Sequence, residues 1–484
     1  MAFEANIESL SQHQVPAWFH DAKLGIFVHW GLYSVPAYAP TEFGEINETF
    51  KRGGRFHFSH NPYAEWYLNS MKFREGPYWR YHEQTYGADF TYDDFVPLFN
   101  AEIAQWDPGA MADAFSMVGA RYVVLTTKHH DGFTLWPSDT PNPNKAGYHA
   151  SRDIVGELAE AVRARGMRMG VYYSGQLDWS FDTRPIDAIV GLISNGPVDR
   201  AYARYVDAHY RELIDRIKPS VLWNDIGYPP DGDSEGIVAT YYNQIAEGVV
   251  NDRWRKSAKW IKGLLGLWPV NKVAEWGIRQ MIAKRGLAID EMPTNAHYDY
   301  RTPEYATAAE IKETKWECCR GIGRSFGYNR MEQDEHHISV TELIHSFVDI
   351  VSKNGNLLLN VGPMADGTIP ELQLERLRGL GAWLDVNGET IYGTRPWTRA
   401  EGVTREGLEV RFTAKGEVLY AILLGWPEAR QTAIRDLPLA EGATVEMLGC
   451  PGGLSWEQDG ADLRIELPLE RAESCAVAFR IARD

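Results

Sequence analysis

Up to about residue 392, short apolar runs alternate with longer amphipathic ones. The runs at 24–30, 122–128, 168–174, 221–225, 248–254, 298–305, 325–330 and 356–362 have the length and apolar content of buried strands. Several gaps between them repeat with helical period. In 201–218, Tyr202, Tyr205, Val206, His209, Leu213, Ile214 and Ile217 fall on one face. The gaps at 153–165 and 340–353 follow the same rule. Eight strands with intervening helices predict an α/β chain folded as a (β/α)8 TIM-like barrel over residues 1–392. Beyond it the runs at 408–413, 418–425, 443–448, 461–467 and 475–481 are short and alternating, with Gly, Pro and Asp turns between them. They predict a small C-terminal antiparallel β-sandwich over 393–484, packed on the barrel or framing its mouth.

The strand ends carry the chemistry. The run at 221–225 closes on Trp223-Asn224-Asp225, and a charge at the end of a buried strand is costly unless it is paired or used. The other ends bring His29, His129-His130, Tyr172, Arg253, Glu304 and Phe326. On a barrel these ends converge on one pocket. Isolated acids, imidazoles and aromatic faces together suit a sugar, with hydroxyls on its rim and C–H patches on its faces. Each residue taken alone has a plainer reading. Asp225 is also what a strand cap or ion-pair partner looks like, and Glu304, after Pro303, fits a surface turn. His29 fits a packed core histidine, and Trp66, Trp223 and Phe326 fit core aromatics. His129 and His130 could ligate a metal, but adjacent residues on a strand face opposite ways, so a shared ion needs a bulge at the strand end.

Bulk properties narrow the partners. A formal charge of −17 over 484 residues argues against nucleic acid or an anionic membrane. The four cysteines, Cys318, Cys319, Cys450 and Cys475, lack disulfide or metal-ligand spacing and suggest a reducing compartment. The first residues show neither a basic stretch nor an apolar stretch of the secretory kind, so a cytoplasmic location is expected, although a processed secreted form would look the same. No apolar run reaches the ~18 residues of a membrane span.

The motifs Phe27-Val28-His29-Trp30-Gly31, Asn61-Pro62-Tyr63-Ala64-Glu65-Trp66-Tyr67, Lys128-His129-His130-Asp131-Gly132-Phe133, Val171-Tyr172-Tyr173-Ser174 and Leu222-Trp223-Asn224-Asp225 resemble those of the family 29 glycoside hydrolases, the α-L-fucosidases. So do Val250-Asn251-Asp252-Arg253-Trp254, Thr302-Pro303-Glu304-Tyr305, Ser325-Phe326-Gly327-Tyr328 and the stretch 356–363. They occur in the family's order, and the likeness is greatest to the bacterial branch with broad activity on simple α-L-fucosides. The resemblance implies a retaining exo-α-L-fucosidase without cofactor or metal, acting on a fucosylated oligosaccharide or glycoside. It implies Asp225 as nucleophile and Glu304 as acid/base. It further implies that His29, Glu65, Trp66, His129 and His130 bind the fucose hydroxyls, that Tyr172 and Arg253 stand beside the two acids, and that Phe27, Trp223 and Phe326 enclose the C5 methyl group. Alternatives are a retaining glycosidase for a related sugar such as an α-L-galactoside, and a metal-dependent barrel hydrolase built on His29, His129 and His130. A homo-oligomer is compatible with all of these.

The chain departs from its nearest relatives at 255–297, a locally basic, helix-like extra segment between Arg253 and Glu304. It reads either as a surface helical hairpin or as a lid or oligomer contact that narrows the acceptor side of the pocket. In the second reading its deletion alters leaving-group preference more than fucose affinity.

Overall fold

Seven buried runs form one parallel sheet: β1 (Leu24–Val28), β2 (Tyr122–Lys128), β3 (Arg168–Ser174), β4 (Val221–Asp225), β5 (Val249–Val250), β6 (Trp316–Gly321) and β7 (Gly355–Val361). In the computed structural model, which describes residues 2–285, 296–306, 308–468 and 474–483, their order is β5-β4-β3-β2-β1-β7-β6. Almost every position in these strands is buried, as expected for a parallel sheet covered on both faces. The sheet curls, and the segment 298–305 fills the gap between β5 and β6. Parallel bridges join Asn251 to Tyr300, Arg301 to Trp316, and Glu304 to Cys319. Backbone hydrogen bonds run from Asp299 N–H to the Val250 carbonyl (3.0 Å) and from Cys319 N–H to the Pro303 carbonyl (3.0 Å). The eighth barrel position is therefore occupied by a bridged segment instead of a full ladder strand.

Two of the strand expectations shift. The run at 325–330 is a loop, and the seventh strand of the ring is Trp316–Gly321. Glu317 and Arg320 break the apolar pattern there, yet Glu317 is fully buried beneath the pocket. The expected strand at 248–254 forms a ladder only over Val249–Val250, with a single further bridge at Asn251. Beyond it the Asn251 side chain takes over from the ladder, accepting from Asn224 N–H at 3.0 Å and donating to the Asn224 carbonyl at 2.9 Å. At the floor of the ring Gly25 is required: a Cβ there would lie 2.4 Å from the Tyr122 ring.

The helix Arg200–Ile217 buries the face expected of it and begins with Asp199 accepting from Tyr202 N–H. Helices Val340–Ser352 and Glu371–Asn387 close the barrel on the side that meets the C-terminal region. There β8 (Arg395–Val403), β9 (Glu409–Lys415), β10 (Val418–Leu423), β12 (Ala443–Met447) and β15 (Val477–Arg483) form a sheet ordered β12-β15-β10-β9-β8. A second sheet, β11-β14-β13, comprises β11 (Gln431–Ile434), β13 (Trp456–Asp459) and β14 (Asp462–Glu466). Both sheets are antiparallel and share an apolar core around Phe412, Ile434, Leu463 and Phe479. Strands β8 and β13 lie at sheet edges with little burial, so their sequences lack the alternating signal. The sandwich is fastened to the outer helices: Arg411 pairs with Asp349 at 2.6 Å, and the Trp383 indole donates to the Ala476 carbonyl at 2.9 Å. Among the described residues, none of the sandwich lines the pocket described below.

The segment 255–297 forms two helices, Lys259–Leu265 and Trp268–Arg285, while residues 286–295 lie outside the described residues.

Candidate active site

The C-terminal ends of the ring strands open into a cavity of about 2040 Å³. All of the residues singled out from the sequence line it: Phe27, His29, Glu65, Trp66, His129, His130, Tyr172, Trp223, Asp225, Arg253, Glu304 and Phe326. They come from six of the ring positions and from two loops, so the barrel, not sequence proximity, assembles them.

Asp225 ends β4 with 7% of its surface exposed. Its Oδ2 accepts from the Tyr172 hydroxyl at 2.7 Å, and its Oδ1 accepts from Arg253 Nη1 at 3.0 Å and from Ile226 N–H at 2.8 Å. Burial pushes this carboxyl up, but the charge of Arg253, the neighbouring His130 and the two side-chain hydrogen bonds outweigh it and hold Asp225 below the usual aspartate range. The group is therefore a carboxylate kept ionised in a buried site.

Arg253 reaches both acids at once. While Nη1 holds Asp225, Nη2 lies 2.7 Å from Glu304 Oε1. The guanidinium is fixed by Thr302, through its hydroxyl at 3.1 Å and its carbonyl at 2.9 Å, and lies over the Trp223 ring at 4.8 Å. Glu304 is the more open of the two acids, with 36% of its side chain exposed against 10% for Asp225. The two share a further feature. Each is followed by a non-glycine residue in the left-handed region, Ile226 at φ 56° and Tyr305 at φ 51°. That conformation is a genuine outlier for a β-branched residue and costs about 1–3 kcal/mol. Both sharp turns lie directly behind the two acids.

The histidines are neutral acceptors. Asn360 donates its Nδ2 to the Phe326 carbonyl at 2.7 Å, which turns its Oδ1 toward His29 Nδ1 at 2.6 Å. His29 Nδ1 must carry the proton, which leaves Nε2 with a lone pair. Ser174 likewise donates to the Leu177 carbonyl at 2.8 Å and so accepts from His130 Nδ1 at 2.7 Å. Burial drives His29 down to about 3 and His130 to about 4, and lowers His129 well below the ordinary histidine range. The register of β2 against β3 slips between Thr126 and Lys128, the bulge that two adjacent cavity-facing histidines require. His129 and His130 then pack with ring centroids 4.0 Å apart. Their ligand atoms do not converge with those of His29 on one point. Among the described residues, a cluster of three such groups occurs only at His13, His297 and Asp299, away from this cavity.

Glu65 is buried, and Gly327 N–H donates to its Oε2 at 2.8 Å. Burial raises this carboxyl to about 7, against the pull of that bond. Trp66 stands edge-on to His130 at 5.3 Å. Phe27, Trp223 and Phe326 form an apolar wall joined through the His29 ring, with Phe27 5.2 Å from Trp223 and 4.5 Å from His29, and His29 5.0 Å from Phe326. Beneath it the Trp223 indole donates to Glu317 Oε1 at 3.2 Å, and the Tyr122 hydroxyl donates to Oε2 at 2.5 Å. Burial raises Glu317 to about 7.

Asn360, Ser174 and Glu317 were not singled out by sequence reading. Asn360 and Ser174 sit inside recognisable motifs, but their work is to orient another side chain. The fact that could have found Asn360 is its polarity within an otherwise apolar run, Leu357–Val361 of β7.

Comparison with known proteins gives a consistent result. Residues 1–389 match the family model for α-L-fucosidase, and residues 405–482 match that for the α-L-fucosidase C-terminal domain. Tissue α-L-fucosidase of Bos taurus is 34% identical over 473 residues, covering 95% of this chain and 86% of the relative. The crystal structure of Thermotoga maritima α-fucosidase in complex with a mechanism-based inhibitor is 42% identical, covers 99% of this chain and 100% of its own, and superposes with a TM-score of 0.84. The same enzyme in complex with fucose, also 42% identical over 99% of this chain and 100% of its own, gives 0.83.

Proposed function

The chain belongs to the α-L-fucosidase family and is a retaining exo-α-L-fucosidase, and from that premise we propose that Asp225 is its nucleophile and Glu304 its acid/base. The observation that carries the assignment is the single guanidinium of Arg253 holding both acids, with Asp225 deep and Glu304 at the open side. In the first half-reaction Asp225 attacks the anomeric carbon of a terminal α-L-fucosyl unit while Glu304 gives a proton to the departing oxygen. The bond formed is the Asp225 ester, and the bond broken is the glycosidic one. Esterification removes the charge of Asp225, so Arg253 then balances Glu304 alone. In the second half-reaction Glu304 takes a proton from water as the water displaces Asp225, and fucose leaves with its original anomeric configuration.

The neutral histidines accept from the sugar. His29 and His130 present Nε2 lone pairs to fucose hydroxyls, with Glu65, Trp66 and His129 completing the rim. The wall of Phe27, Trp223 and Phe326 takes the C5 methyl group. An apolar pocket gains ~1–3 kcal/mol from a methyl group, whereas an α-L-galactoside would bury an extra hydroxyl there. We also place the enzyme among those with broad activity on simple α-L-fucosides, a reading supported by its greater identity to the Thermotoga enzyme than to the bovine one. In this reading residues 1–392 are the catalytic unit, and the sandwich of 393–484 braces its helices.

Replacing Asp225 by Gly tests the assignment. The variant should lose most activity, and azide should restore part of it by forming the β-fucosyl azide. Formation of the α-azide contradicts a nucleophilic Asp225.

A further inference from the structure

A cavity of about 2040 Å³ is far larger than one fucose needs, since whole drug-sized ligands occupy about 300–1,000 Å³. Its inner part is the site above. The same cavity is also lined by Lys272, Glu275, Trp276 and Gln280 of the helix Trp268–Arg285 and by Phe50 and Lys51 of the helix Ile46–Lys51. The extra segment is thus a wall of the same cavity.

It is seated firmly enough to serve as one. Glu275 Oε2 accepts from Val190 N–H at 3.0 Å, and the buried Lys262 donates to the Asn195 carbonyl at 3.1 Å. The approach at Gly54 is so close that a Cβ there would lie 2.8 Å from Glu275 Oε1 and 2.9 Å from Ala188 Cα. Yet the helix leaves large aromatic surface uncovered: Trp276 is 66% exposed and Trp268 73%. Trp268, Lys272 and Trp276 are spaced four residues apart and fall along one face, with the two indoles about 12 Å apart along the axis. Glu275 Oε1 is buried without a hydrogen-bond partner. Trp276 lines the cavity beside Lys272, Glu275 and Gln280, and Trp268 lies on the same helix face outside that lining; an exposed indole beside charged and amide groups suits the C–H face and hydroxyl rim of a saccharide. The occupant is set by continuity: the group attached to the anomeric oxygen at Glu304 extends into the rest of this same cavity, of which the helix Trp268–Arg285 forms part of the wall.

We propose that the helix Trp268–Arg285 forms the binding wall for the aglycone, with Trp276 stacking on the first saccharide units of the leaving group and Trp268 on units farther along. The chemical class is a neutral oligosaccharide carrying a terminal fucose. Flat indole faces without a dense set of directional hydrogen bonds accept many sugars, which keeps broad specificity while favouring longer acceptors over small aryl groups. The inference rests on the fucosidase reading.

The test compares kcat/KM on 4-nitrophenyl α-L-fucoside, 2′-fucosyllactose and a fucosylated hexasaccharide, using the full chain. For Trp276→Ala the ratio of either oligosaccharide to the aryl fucoside should fall about tenfold. Trp276→Phe, which keeps an aromatic face, should retain most of that ratio. Trp268→Ala should lower the ratio for the hexasaccharide more than for 2′-fucosyllactose. Ratios unchanged in Trp276→Ala, or a Trp268→Ala effect independent of acceptor length, overturn the proposal. If the unmodified protein fails to hydrolyse even the aryl fucoside, the failure belongs to the fucosidase reading beneath it.

Discussion

Tyr172→Phe removes one hydrogen bond and little else. The phenyl ring keeps its stack on Trp223, with centroids 5.3 Å apart, and the hydroxyl lost is the 2.7 Å donor to Asp225 Oδ2. Asp225 retains Arg253 at 3.0 Å and Ile226 N–H at 2.8 Å. A hydrogen bond to a charged group contributes about 1.5–3 kcal/mol, and with two donors left the lower end applies. About 1.5 kcal/mol corresponds to about one pH unit in the ionisation of the carboxyl. The sign follows from the state that reacts. Asp225 must be ionised to attack, its neighbours hold it below the usual aspartate range, and removing one of them raises it. The acid limb of kcat/KM, which reports the free enzyme, should therefore move to higher pH by about one unit. The assay is kcat/KM on an aryl α-L-fucoside from acid to neutral pH for both proteins. An acid limb that stays in place while the neutral plateau falls would refute the reasoning, because Tyr172 would then act on position and not on the charge of Asp225.

Other outcomes follow from the same geometry. Glu304→Ala should cost about 10²–10⁴-fold on oligosaccharides, the usual contribution of a general acid, and far less on substrates with good leaving groups; uniform loss would move the role elsewhere. Phe326→Ala opens the apolar wall and should lower the preference for an α-L-fucoside over the α-L-galactoside by about tenfold or more, read from parallel kcat/KM values. Glu317 is held near 7 by burial, above its unfolded range, so its contribution to stability is full under acid conditions and is lost as pH rises through 7. Glu317→Gln should therefore melt higher than the parent at pH above 7, by up to about 3 kcal/mol, and lose that advantage below about pH 4.5. Exhaustive chelation should leave activity intact, with no stoichiometric metal by elemental analysis; loss restored by a divalent ion would favour the metal-dependent alternative.

Much of the ring was legible because buried parallel strands are written as apolar runs, as in Tyr122–Lys128 and Arg168–Ser174. What escaped did so for definite reasons. Trp316–Gly321 hides a buried glutamate whose environment, two donors from Tyr122 and Trp223, comes from distant strands. The stretch at 325–330 looks like a strand, but its backbone groups are taken by the Asn360 and Glu65 side chains, which sequence spacing cannot place. His29, His129, His130, Tyr172, Asp225 and Arg253 were found because strand ends must converge in a barrel, whereas Glu65 and Trp66 were reached only through the family resemblance. Asn360 and Ser174 were not, because they set the tautomers of His29 and His130 through contacts formed only in the fold. The helices of the segment 255–297 were visible in its sequence, and the seating of the second one against Val190 and Gly54 is a tertiary fact.

The central claim is that Asp225 forms the bond to the sugar. Incubation with a 2-fluoro-fucosyl fluoride, which accumulates the glycosyl-enzyme, followed by proteolysis and mass mapping, tests it directly. One added 2-fluorofucosyl mass is expected on the peptide that contains Asp225, absent from Asp225→Gly. A label carried by Glu65 or Glu304 would contradict it.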